Sequence, residues 1–217
     1  MQGAHRFFAK NFTLNALVAA AYDLNPRHQI SGGARWTEED AYDILAGTPG
    51  EVQPRQDEQM RMLRNLLIER FQLTFHYQQK EMPIYSLTVA TNGSKLKESA
   101  GPPDKLPDLV SVVFPDHLKL PARNATMAQF AAVMSHAWMD RPVVDRTGLS
   151  GAYDFDLEWT ADETQFGGLL HMTAPADDIP KPDLFAAMRQ QLGLRLEASK
   201  GPAEVLVIDH VERPSDN

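Results

Sequence analysis

The sequence predicts an α+β protein of two tandem pseudo-repeats. Each is ordered helix-strand-strand-helix-strand-strand, with helices packed on one face of a mixed or antiparallel sheet. Three observations predict this. Tyr153-Asp154-Phe155-Asp156-Leu157-Glu158-Trp159 alternates apolar with acidic residues, the period-two pattern of a half-buried strand. Tyr42-Asp43-Ile44 echoes the start of that strand in the first half. Apolar stripes at helical spacing follow matching lead-ins, Asn11-Phe12-Thr13-Leu14 and Asn124-Ala125-Thr126-Met127. The expected division is 1–92 for the first repeat, 93–122 for a Pro- and Lys-rich linker, and 123–217 for the second repeat.

Taken in order, Thr13 is a natural N-cap, and Leu14, Leu17, Val18, Ala21 and Leu24 form the stripe of a first helix. Asn25-Pro26 is expected to stop it. Gln29–Gly33 reads as a short extended piece and turn. Thr37-Glu38-Glu39-Asp40 has the look of a helix start, but the echo assigns 42–46 to a strand. Residues 47–56 read as a loop, and a strong helix is expected over 57–70, burying Met60, Leu63, Leu66 and Leu67. Residues 73–77 and 84–89 read as two arms of a hairpin turning at Lys80–Pro83, ended by Asn92-Gly93.

In the second half, Met127, Phe130, Ala131, Met134 and Trp138 recur at three and four, so their apolar stripe reads as core. Thr147–Gly151 forms a turn into the 153–159 strand. After a long loop over 160–182 a helix carries Leu184, Phe185, Met188 and Leu192. Residues 194–197 and 205–208 read as a second hairpin, turning at Lys200-Gly201-Pro202. The expected core includes Leu17, Leu63, Leu67, Phe75, Phe130, Met134, Phe155, Leu157, Leu192 and Val207.

Composition excludes several function classes. The 217 residues carry 21 Lys and Arg against 29 Asp and Glu, a formal net charge of −8. That argues against nucleic acid, whose binding needs clustered basic residues. There is no cysteine, so disulfides and thiolate chemistry are excluded. No apolar run reaches the length of a membrane span, so no membrane insertion is expected.

Asp154, Asp156 and Glu158 face one side of their strand, and like charges so placed repel unless a cation or basic partner answers them. Ca²⁺ would suit three hard oxygens, which makes these residues the metal candidates. A solvated face met by Arg or Lys from a neighbouring strand is the more ordinary reading. No cofactor is expected beyond that ion. The seven histidines are scattered, with no pair at the spacing of a zinc helix. Weak catalytic candidates are His136, Asp140, Asp145 and Ser150. Gly148-Leu149-Ser150-Gly151 departs from a nucleophile elbow, because Ala152 stands where the second glycine belongs. The 160–182 loop holds apolar Phe166, Leu169, Leu170 and Met172, which could cover a pocket or dock on a partner or a second copy.

Residues 30–33, 141–154, 191–197 and 205–215 together resemble a soil-associated, acidobacterial family of uncharacterised proteins with a domain of unknown function. The half-unit also resembles the short N-terminal domains of secretins and TonB-dependent receptors. These resemblances imply a non-enzymatic binding or sensor module of the cell envelope, whose partner is a protein or a small molecule. They imply a periplasmic or secreted location with the leader absent, a cytoplasmic one being the alternative; the oligomeric state stays open. The rival function is a Ca²⁺-dependent hydrolase of lactones or esters, such as an N-acyl-homoserine lactone hydrolase.

Overall fold

The computed structural model describes residues 6–25, 27–47, 54, 56–101, 107–174 and 180–215, and the fold is α+β. The chain forms two compact units, Met1–Lys80 with Glu204–Asn217 and Glu81–Ala203. Each has its own apolar core.

In the first unit, β1 (Arg6–Thr13) leads directly into α1 (Leu14–Tyr22). Thr13 is extended and its hydroxyl accepts from Ala16 N at 3.3 Å, satisfying one orphan amide of the first turn. Asp23, left-handed at φ 58°, ends the helix, earlier than the expected stop at Pro26, which lies outside the described residues. Then come β2 (Ile30–Gly32), a one-turn α2 (Trp36–Glu39), β3 (Ala41–Gly47) and α3 (Gln56–Phe71). The 42–46 strand is therefore present, with the local helix signal satisfied by the short α2 before it. Leu14, Leu17 and Val18 of α1 pack with Leu63 and Leu67 of α3 in the core, while Met60 and Leu66 are half-buried.

The second unit holds β5 (Lys97–Glu98), β6 (Val112–Val113), β7 (Leu118–Thr126), α4 (Met127–Val133), β8 (Val143–Asp145), β9 (Ala152–Trp159) and α5 (Leu184–Ala187). Helices α4 and α5 each continue as one wider π turn, Met134–Trp138 and Met188–Leu192. Thr126 and Gln129 cap α4 reciprocally. Tyr153, Phe155, Leu157 and Trp159 all point inward from β9 and are buried. The sheet order is β5-β9-β7-β6. Stretch 93–122 is thus not only linker: three strands of this sheet lie in or begin in it. Pro121 is tolerated in β7 because its missing N–H faces the β6 side, between the end of β6 pairing at Lys119 and the Asp108 bridge at Arg123.

Both expected hairpins are single strands, β4 (Thr74–Val89) and β10 (Leu194–His210). Nothing in Gln78–Pro83 supplies the positive φ that a tight turn needs. The missing N–H of Pro83 points the same way as Tyr85 N, which bonds Pro142 O at the start of the β8 ladder, so no ladder bond is lost. Gly201 lies within β10, where a Cβ would meet only the far ends of the Arg146 and Ile84 side chains. β2 runs parallel to β10 at Leu206–Ile208, and β8 parallel to β4 at Tyr85–Leu87. Of the expected core, Phe75 and Val207 are half-buried and the rest are buried.

The Tyr-Asp echo has a structural meaning. β1 pairs antiparallel with β3, and β7 with β9, and each ladder has a bulge, between Ala9 and Phe12 and between Ala122 and Ala125. At each bulge an asparagine is left-handed, Asn11 at φ 60° and Asn124 at φ 53°. Its N–H, turned out of the ladder, donates to the aspartate across it at 2.8 Å: Asn11 to Asp43, and Asn124 to Asp154.

Candidate functional site

The acidic face of β9 is met from β7. Antiparallel pairing sets Lys119 opposite Glu158, and its ammonium lies 2.9 Å from that carboxylate, with Lys181 at 3.0 Å on the other oxygen. Arg123 reaches Asp156 at 3.1 Å and also donates to the carbonyls of Ala122 and Phe155. Asp154 holds the bulge. Basic side chains of the chain itself thus answer the repulsion, as the more ordinary of the two readings of this face expects. Among the described residues there is no group of three or more His, Asp or Glu placed to hold a metal.

The hydrogen bonds from Lys119, then Lys181, outweigh burial and lower the Glu158 pKa from 4.5 to about 2. A depressed folded pKa means stability that is present above pH 4.5 and lost as pH falls towards 2. Glu158→Gln is therefore expected to cost about 1–2 kcal/mol at pH 7, after discounting for partial exposure. The gap to wild type should close between those two pH values, as read by urea titrations across pH.

The catalytic candidates are spread over the π turn after α4, the segment that follows it and the turn before β9. His136 sits half-buried in the π turn after α4. Asp140 accepts from Arg141 Nε at 3.1 Å, and the Arg141 guanidinium lies 5.4 Å from the Tyr85 ring centre. Burial first, and then the nearby Asp140 charge, raise the Tyr85 pKa. Asp145 accepts from Thr147 N and Oγ1 at 2.9 and 2.8 Å, which fixes the turn before β9. Ser150 is exposed in that turn. None of the four lines either groove described below. In the long loop, the Trp159 indole donates to buried Gln165 at 2.8 Å, and Phe166, Leu170 and Met172 pack against the core. Leu169 is exposed.

Two grooves occupy matching positions, one in each unit. In the second, β5 covers the edge of β9 with Lys97 opposite Asp154, and Lys95 N donates to Leu192 O at 2.9 Å. Gln191 clasps the β9 backbone at Glu158 with its side-chain amide, whose NH₂ donates to Glu158 O at 2.7 Å and whose oxygen accepts from Glu158 N at 2.9 Å. Lys95, Lys97, Arg123 and Asp156 border a groove of about 310 Å³ there. In the first unit, Glu212 N donates to Phe71 O at 2.8 Å, as Lys95 N does to Leu192 O. A groove of about 400 Å³ follows β3, between Asp43 and Leu45 on one side and Leu66, Phe71 and Pro214 on the other.

The ladders differ at their edges. Among the described residues β1 and β3 form a sheet of two strands, with no counterpart of β5 or β6. Their solvent faces differ too. Phe8 lies opposite Leu45, exposed at 48% and 67%, where the second unit has Pro121 opposite Asp156. Sequence reasoning missed this patch, although Phe8 and Leu45 sit out of phase with the inward Ala9 and Ile44, which is the signal a half-buried strand should not give.

No helix among the described residues is long and apolar enough to cross a membrane. No curated protein and no solved structure matches the chain. A family model described as a protein of unknown function, DUF3738, matches residues 15–211, nearly the whole length, and the chain belongs to that family.

Proposed function

We propose that the protein is a non-enzymatic binding module that recognises a polypeptide on the β1–β3 ribbon of its first unit. The contrast between the two ladders carries this reading. Where the second unit has ion pairs and covering strands, the first has Phe8 and Leu45 paired on a solvent face with no strand beside it among the described residues. Exposed apolar clusters of this kind mark interaction surfaces. The matching bulges and grooves support reading the two halves as copies of one unit, in which one copy kept a closed ladder. A cell-envelope or secreted location belongs to the same reading, through the family resemblance.

A hydrolase of lactones or esters finds less support, since His136, Asp140, Asp145 and Ser150 border neither groove. Panning a phage-displayed peptide library on the full chain tests the proposal, alongside turnover assays with acyl-homoserine lactones and simple esters with and without chelator. Enriched peptides should bind Leu45→Asp about tenfold or more weakly, because a charge replaces a central apolar anchor. Stability should change by no more than about 0.5 kcal/mol, since the side chain is exposed. Failure to enrich any peptide, or chelator-sensitive turnover, would remove the binding reading.

A further inference from the structure

The binding reading leaves open how a polypeptide would sit, and the second unit supplies a template for it. There β5 lies antiparallel on the edge of β9, with Lys97 opposite Asp154. Two residues earlier on the same side, Lys95 shares the groove with Asp156. The β9 edge is therefore covered by a Lys-x-Lys segment in which Lys97 stands opposite Asp154, while the Lys95 ammonium donates to Gln190 O at 2.6 Å and Asp156 is paired by Arg123.

In the first unit the same edge belongs to β3. Asp43 holds the place of Asp154, as their identical roles at the two bulges establish. Leu45 holds the place of Asp156, since each lies opposite the residue three before its bulge asparagine, Phe8 or Pro121. The chain approaches this edge too, because Glu212 N bonds Phe71 O and Pro214 follows two residues later, where the second unit has Lys97. Proline has no N–H to give a ladder, so the position that builds β5 in one unit cannot build a strand in the other.

Resting on that reading, we propose that the β3 edge binds an extended segment of a partner polypeptide by antiparallel strand addition. The segment carries the pattern apolar-x-basic. Its basic residue stands opposite Asp43, as Lys97 stands opposite Asp154. Its apolar residue stands opposite Leu45 and joins Phe8 on the solvent face. The polarity of the pattern follows from geometry, because an antiparallel strand meets Leu45 before Asp43. Main-chain hydrogen bonds to β3 provide affinity, and the two alternate side chains provide selection.

The test uses eight-residue peptides copying Gly93–Ala100, the segment that contains β5, titrated into the full chain by fluorescence anisotropy. One carries Lys95→Leu, giving the apolar-x-basic pattern; a second carries Lys95→Leu with Lys97→Glu. The first should bind about fivefold more tightly than the second, the scale of one exposed charge pair. Asp43→Asn keeps an oxygen to accept the Asn11 N–H but removes the charge, and should erase that preference. Equal binding of the two peptides, or a preference that survives Asp43→Asn, overturns the proposal. If panning enriches peptides that depend on Leu45 while these outcomes hold, strand addition with this charge rule is wrong and the binding reading stands. A concentration-dependent dimer abolished by Leu45→Asp would assign the edge to a second copy, and would also overturn it.

Discussion

Replacing Phe130 by alanine should destabilise the second unit by about 3–5 kcal/mol, the range for emptying a large aromatic site in a core. The side chain is fully buried. Its ring stands edge-on to Phe155 at 5.0 Å and to Trp138 at 6.0 Å, so it joins α4, the π turn and β9 at one point. Urea titration followed by tryptophan emission reads this directly, because Trp138 and Trp159 are buried in the same core. A loss below about 1 kcal/mol would mean that the site is loosely packed.

Gly193→Ala should cost about 2–4 kcal/mol, by adding backbone strain to overpacking. Gly193 turns the chain from the π turn into β10 at φ +65°, with its N–H on Met188 O. A methyl group there would collide with the carbonyl oxygen of Gly93 and come within 2.9 Å of Lys95 N. Both are backbone atoms, and they belong to the segment that places β5 on β9, so the substitution should also loosen that edge. Gly148 is the control. It has φ +69°, and a methyl group added there would meet nothing within 4 Å, so Gly148→Ala should cost only about 1 kcal/mol of left-handed strain. Equal losses at the two sites would show that conformation alone, and not crowding, sets the requirement at Gly193.

The strand at 153–159 was legible because one of its faces is buried and the other wet, which is the condition under which alternation appears in a sequence. Tyr42-Asp43 was legible only by its echo, and the reason for the echo, an aspartate accepting a bulge amide, needs the ladder to be seen. β4 and β10 were misread because Pro83 and Gly201-Pro202 are turn formers in most settings. Here one falls beyond the end of a ladder and the other lies within a continuous strand. β7 was hidden in a stretch rich in proline and lysine. With it went Lys119 and Arg123, so the carboxylates of β9 were visible as a charged row while their partners were not. The contrast between a covered and an uncovered ladder was out of reach, because which strand lacks a neighbour is a property of topology and not of local pattern.

Residue-resolved amide hydrogen exchange on β3 and β9 is the most direct test of the central claim, that the first unit presents an uncovered strand edge. In the free protein, outward-facing amides of β3 should exchange much faster than their counterparts in β9, which β5 and Gln191 protect. Adding the apolar-x-basic peptide should slow β3 and leave β9 unchanged. Equal protection of the two strands before any peptide is added would contradict the account, since the edge would then already be closed.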